Sequence, residues 1–86
     1  MTTLERQIRR FILVALLAAR GTPMLDDTLR SAITTEFRHI TFTAGDLGGY
    51  IKDAEELSLI AGTDDEDVGR VWALTPKGKI RAQQLR

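Results

Sequence analysis

The sequence predicts an α+β fold that is mostly helical: three helices, then a β-hairpin, then a short C-terminal helix. Apolar residues recur at helical spacing as far as residue 58, whereas residues 59–74 read as two short strands around a polar stretch. The chain has 86 residues, of which 43% are hydrophobic and 28% charged. This length and composition are typical of one small globular domain, so we expect a single domain over residues 1–86.

Few side chains in the sequence can carry catalytic or metal chemistry. The chain has no cysteine and a single histidine, His39. Disulfides, thiolate metal sites, catalytic triads and sites with several histidine ligands are therefore excluded within one chain. Residues 45–49 are rich in glycine but lack the Gly-Lys-Ser/Thr ending of a phosphate-binding loop. Residues 64–75 fail as a calcium loop, because Val68 and Thr75 stand at ligand positions. We expect no enzymatic activity, no cofactor and no metal.

The first helix extends to about residue 20 and ends at Gly21. Its apolar run, residues 11–19, follows three arginines, a composition that also describes a secretory signal peptide. The run is shorter than the ~20 apolar residues of a membrane span. One apolar face also continues through the basic region: Leu4, Ile8, Phe11, Ile12, Ala15, Leu16 and Ala19. We therefore favour a core helix over a signal peptide, and expect a cytoplasmic protein without membrane contact.

A second apolar group on this helix lies outside that face: Leu13, Val14 and Leu17. A helix buried on a single face shows polar residues at such positions. Two interpretations remain open. Neighbouring elements surround the helix, or these three residues form a dimerisation surface.

Two further helices are expected. Four apolar residues recur at intervals of four and predict a helix over roughly 25–37: Leu25, Leu29, Ile33 and Phe37. Thr22-Pro23 either starts that helix or forms a short extended segment before it. Residues 38–43 read as a connection or a very short strand. Thr43 and Asp46 have the spacing of a capping box, which predicts a third helix over 43–58.

Strand-like residues 59–61 and 70–74 flank the polar residues 62–69, which predicts a hairpin with a charged tip. Thr75-Pro76 is typical of an N-cap followed by proline at the first helical position. A last helical turn or two is expected to run through Ile80 to Leu85.

This order of elements resembles the winged-helix family over roughly residues 4–85. The family's usual ending is a strand with an aromatic residue, then Leu-Thr, two residues and Gly, and Trp72-Ala-Leu-Thr-Pro-Lys-Gly78 is similar to it. Upstream, Leu47 and Ile51 followed by Leu59 and Ile60 look like the family's third helix and first wing strand. A weaker similarity is to small winged-helix proteins encoded by Mu-like phages.

Two positions depart from the family pattern. Ala54 stands where the family commonly has Leu, and Ser58 stands where it commonly has Gly. Both departures concern the end of the third helix.

The resemblance implies a helix-turn-helix with residues 43–58 as recognition helix and 59–74 as wing. The resemblance also implies that the partner is double-stranded DNA and that the role is like that of a transcription regulator. Both expectations come from the family and not from the composition of this chain. The residues expected at DNA are Thr43, Tyr50 and Lys52 on the helix, with Arg38, Arg70, Lys77 and Lys79 at phosphates. For Tyr50 and Lys52, an exposed structural role is an equal alternative.

The formal net charge of zero conceals an uneven distribution. Residues 1–43 carry six basic and four acidic groups. Residues 44–69 carry one basic and eight acidic groups, and residues 70–86 carry five basic groups and no acidic group. The acidic third holds the expected recognition helix and wing, where carboxylates repel phosphate. A second hypothesis is therefore an interaction module that binds a basic protein and no DNA. Its residues would be Asp53, Glu56, Asp64, Asp65, Glu66 and Asp67. A simpler interpretation of residues 64–67 is a solvated turn.

Overall fold

The computed structural model describes residues 3–85 and has four helices and a three-stranded antiparallel sheet within them. The elements in chain order are α1 (Thr3–Ala18), β1 (Met24–Leu25), α2 (Asp26–Glu36), α3 (Ala44–Glu56), β2 (Ile60–Asp65), β3 (Gly69–Leu74) and α4 (Pro76–Gln84). The predicted α+β class is confirmed, and three helices followed by a hairpin and a last helix are compatible with the winged-helix layout. None of the helices in this part of the chain has the length and apolarity to cross a bilayer.

The sheet has the order β1-β3-β2, with β3 in the centre. β2 and β3 pair from Ile60 opposite Leu74 to Asp65 opposite Gly69, so the strands are longer and the tip shorter than the sequence predicts. The Asp65 carboxylate accepts the backbone N–H groups of Asp67 and Val68, at 2.8 and 3.2 Å, and turns the chain within three residues. The polar residues before the tip can therefore stay paired between β2 and β3.

The connections also differ from the broad sequence predictions. Met24 pairs with Trp72, so an extended segment precedes α2 and residues 22–23 do not start the helix. Residues 38–43 contain no strand. α4 has nine residues, more than the turn or two expected.

The core is formed by the inner faces of α1, α2 and α3 together with the sheet and α4. Its residues include Ile8, Ile12, Leu13, Leu16, Leu29, Ile33, Leu47, Ile51, Ala54, Leu59, Ile60, Trp72 and Ala82. Leu13 is only 2% exposed, because α4 packs against this side of α1. Leu13 is therefore a core residue and not part of a dimerisation surface, whereas Val14 is exposed and Leu17 half-buried.

Contacts at the junction between β3 and α4 explain why Thr and Gly occupy their positions in the Leu-Thr-x-x-Gly segment. The Thr75 hydroxyl accepts the Gly78 N–H at 3.0 Å and donates to the Ser58 carbonyl oxygen at 2.5 Å, which confirms Thr75 as N-cap. The Thr75 N–H donates to the Leu59 carbonyl oxygen at 3.1 Å. Gly78 lies so close to this carbonyl that a Cβ would be 1.8 Å from its oxygen. Ser58 has φ 60°, a conformation that favours glycine, the residue common at this place in winged-helix proteins.

A polar link joins the wing to the two central helices. The Asp26 carboxylate accepts the Trp72 Nε1–H at 2.9 Å and pairs with Arg30 Nε at 2.8 Å. Arg30 Nη1 in turn donates to the Ala44 carbonyl oxygen at 3.1 Å, at the start of α3. One carboxylate thereby fixes β3, α2 and α3 relative to one another.

The Asp26→Asn variant is expected to lose about 1 kcal/mol of unfolding free energy, because the amide keeps one hydrogen bond and loses the charge opposite Arg30. Urea unfolding followed by Trp72 fluorescence measures this loss. Asp27→Asn is the matched control, since Asp27 is exposed in the same first helical turn and carries the same helix-dipole interaction. Equal stability of the two variants would contradict the link.

Candidate binding surfaces

Helix α3 begins with the capping box that the sequence predicts. Thr43 Oγ1 accepts the Asp46 N–H and Asp46 Oδ2 accepts the Thr43 N–H, both at 3.0 Å. Gly45 and Gly49 are exposed, and a Cβ on Gly49 would meet nothing within 4 Å. The first turns of α3 therefore present backbone and small residues to solvent, while the polar side chains of Thr43 and Asp46 close the helix start.

The other two residues expected on the recognition helix differ in their surroundings. Tyr50 is half-buried and packs edge-on against Phe42, with ring centroids 6.0 Å apart. Lys52 is exposed and lines a groove between α3 and the wing together with Arg30, Arg70 and Trp72. Tyr50 thus has a packing role, and Lys52 is the one cation that α3 contributes.

Two of the cations expected at phosphates are held by contacts within the chain. Arg70 Nε lies 3.1 Å from Asp64 Oδ1 on the paired strand, and the guanidinium lies over the Trp72 ring, 5.4 Å from its centroid. Lys77 Nζ donates to the Leu57 carbonyl oxygen at 3.1 Å, where it caps the C-terminal end of α3. Neither side chain is held out toward a ligand.

The expected DNA-contacting residues occupy several places on the molecule. Lys52 and Arg70 share the α3–wing groove, whereas Arg38 is exposed in the turn after α2. Lys77 lines a groove with Arg9 and Arg81, and Lys79 lines another at the base of the wing. A single DNA-contacting set centred on α3 therefore does not assemble from these residues.

The acids of α3 and the wing are exposed. The six expected to bind a basic partner are Asp53 and Glu56 on α3, with Asp64, Asp65, Glu66 and Asp67 on the wing. Of these six, Asp64 is the one with an ion pair among residues 3–85. The side of the molecule formed by α3 and the wing is therefore predominantly negative.

Cations that the sequence prediction missed come together on α1 and α4. Arg6, Arg9 and Arg10 line one groove with Arg81, over Leu13 and Leu85. Arg9 and Arg81 also line the adjoining groove with Lys77. None of these four arginines forms an ion pair within the described part of the chain. We call Arg6, Arg9, Arg10, Lys77 and Arg81 the basic α1–α4 surface.

The sequence alone indicates which cations share one side of α1 and which share one side of α4. The spacings of Arg6 to Arg9 and Arg10, and of Lys77 to Arg81, place each set on one side of a helix. That the two helices lie side by side follows from tertiary structure. Between residues 3 and 85 no three His, Asp or Glu side chains are grouped so as to hold a metal ion.

No protein-family model, curated protein or solved structure matches the chain. The likeness to winged-helix proteins rests on the order of its elements and on residues 72–78.

Proposed function

We propose that the chain is a non-catalytic, cytoplasmic winged-helix domain that binds double-stranded DNA, in the manner of a small transcription regulator. The observation that carries this proposal is the basic α1–α4 surface, where four arginines with no ion pair among residues 3–85 adjoin Lys77. Duplex DNA carries one negative charge per ~1.7 Å of its axis, and cations that neutralise phosphates supply nearly all non-specific affinity.

The chemistry and spacing of this surface suit a line of phosphates. Guanidinium groups bind phosphate oxygens through two parallel N–H groups, and four of the five cations are arginines. Arg6 and Arg10 stand about 6 Å apart along α1. Arg81 adds a second row on α4, whose axis lies about 8–10 Å away for packed helices. Such an array favours an extended polyanion over a single small anion.

The distribution of acids favours the same face. α3 offers Lys52 against the carboxylates of Asp53, Glu55 and Glu56, and the wing adds further acids. Docking of a duplex on α1 and α4 leaves the wing-tip carboxylates at the opposite end of β3 from α4, and repulsion across a separation greater than ~8–10 Å is screened at physiological salt. The proposal therefore assigns phosphate contacts to α1 and α4, and not to the recognition helix that the family resemblance implies.

A titration of a fluorescein-labelled random-sequence duplex, followed by anisotropy, tests this function. We expect binding at low salt that weakens at moderate salt, and about 100-fold weaker binding for Arg6→Gln/Arg10→Gln/Arg81→Gln, since each phosphate contact contributes about 1 kcal/mol. These three side chains are exposed, so the variant should fold normally.

The matched control removes the same charge elsewhere, with Arg38→Gln, Lys52→Gln and Lys79→Gln. All three side chains are exposed, and we expect affinity within about threefold of the parent. Absence of binding at low salt would reject the DNA-binding function. A larger loss of duplex affinity in the control than in the α1–α4 variant would instead assign the phosphate contacts to the side of α3.

A second candidate function is binding of a basic protein through the acids of α3 and the wing. The observation that favours it is the exposure of Asp53, Glu56 and residues 65–67 without ion pairs inside the described range. A lysine-rich peptide used in place of the duplex discriminates the two functions. Saturable binding of the peptide alone, lost with Asp53→Asn and Glu56→Gln, would favour this candidate.

A further inference from the structure

A groove at the base of the wing combines an apolar floor with two cations. Leu16 and Leu17 from the end of α1 and Leu74 and Pro76 from the β3–α4 junction line it, and Arg20 and Lys79 stand at its edge. Both cations are exposed and form no ion pair with the residues that the structure describes. The groove therefore suits a ligand that presents an apolar side chain beside negative charge.

The tip of the wing on the same chain presents that combination. Val68 is 56% exposed at the tip, directly after Glu66 and Asp67. The Asp65 carboxylate holds the tip by accepting the N–H groups of Asp67 and Val68. The tip therefore places one exposed apolar side chain beside two carboxylates, the complement of the apolar floor and two cations of the groove.

We propose that the wing tip of one copy binds the groove of a second copy, and that the second tip binds the first groove. Val68 contacts the apolar floor, and the carboxylates of Glu66 and Asp67 face Arg20 and Lys79. This self-association is independent of DNA binding, because Arg20 and Lys79 are not members of the basic α1–α4 surface.

The geometry allows both contacts at once. The tip and the groove lie at opposite ends of β3, whose six residues span about 20 Å. A two-fold axis across the middle of the wing brings each tip to the groove of the other copy, which closes the assembly as a dimer. Two small contacts of this kind give weak association, in the micromolar range or weaker. Leu17, expected from the sequence at a dimer interface, lines the groove.

Sedimentation over a range of protein concentrations tests the proposal with two charge-reversed variants. The tip variant is Glu66→Lys/Asp67→Lys, and the groove variant is Arg20→Glu/Lys79→Glu; all four positions are exposed, so both should fold. We expect the parent to dimerise, and each variant to dimerise at least about tenfold more weakly because like charges then face each other.

An equimolar mixture of the two variants is expected to dimerise again, since every tip then meets a groove of opposite charge. Glu36→Lys/Asp53→Lys is the control, with the same charge change at exposed positions away from both surfaces, and it should dimerise within about threefold of the parent. A parent that stays monomeric at millimolar concentration would overturn the proposal. So would variants that dimerise like the parent, or a mixture that remains monomeric.

Discussion

Replacing Gly78 with alanine is expected to cost about 4 kcal/mol of unfolding free energy or more, and to leave much of the protein unfolded. A Cβ at this position would lie 1.8 Å from the Leu59 carbonyl oxygen and 2.8 Å from its carbon. The backbone there cannot move aside freely, because Thr75 bonds to the carbonyls of both Ser58 and Leu59. A domain of this size has a total stability of only about 4–13 kcal/mol.

Gly49→Ala is the matched control for this prediction. Gly49 is an exposed residue inside α3, and a Cβ there meets nothing within 4 Å. We expect it to raise the unfolding free energy by about 0.5–1 kcal/mol, because alanine is the better helix former. Urea unfolding followed by circular dichroism measures both variants. A Gly78→Ala protein within 1 kcal/mol of the parent, roughly the cost of an ordinary mutation, would contradict the described junction.

Replacing Gly62 with alanine is expected to cost about 1–3 kcal/mol, the usual range for overpacking a well-packed site. Gly62 lies opposite Trp72 in the sheet, and a Cβ there would be 2.8 Å from Trp72 Cζ3 and 2.6 Å from Arg70 Nη1. Arg70 is exposed and can move, whereas Trp72 is 5% exposed and bonded to Asp26. The indole must therefore shift or the strands must separate.

Trp72 is the single tryptophan of the chain, so its fluorescence reports this shift directly. We expect a red-shifted emission maximum in Gly62→Ala together with the loss of stability. Gly45→Ala is the control, since a Cβ there makes an ordinary contact of 3.7 Å with Thr43 Oγ1. Unchanged emission and unchanged stability in Gly62→Ala would show that the hairpin register differs from the one described.

Much of the fold was predictable because its signals are local. Apolar spacing predicts α1, α2 and α3, and side chains at helix starts mark Thr43 and Thr75 as caps. β1 was not predictable as a strand, since two residues carry no periodicity and Met24 pairs with Trp72 far along the chain. Leu13 looked available at a surface because nothing local shows that α4 covers it.

The candidate binding surface was less predictable than the fold. The family resemblance directs attention to α3 and the wing, where Arg70 is held by its ion pair with Asp64. The basic α1–α4 surface instead combines residues near the two ends of the sequence. Its formation depends on the contact between α1 and α4, which no local pattern indicates.

The salt dependence of duplex binding is the most direct test of phosphate binding by α1 and α4. Phosphate contacts from the four arginines predict a slope of about −3.6 for the logarithm of the binding constant against the logarithm of salt concentration, and about −0.9 after Arg6, Arg10 and Arg81 are replaced by Gln. The Arg38→Gln/Lys52→Gln/Lys79→Gln control should keep the parent slope. A parent without measurable affinity at low salt, or an α1–α4 variant whose slope equals that of the parent, would contradict DNA binding by the basic α1–α4 surface.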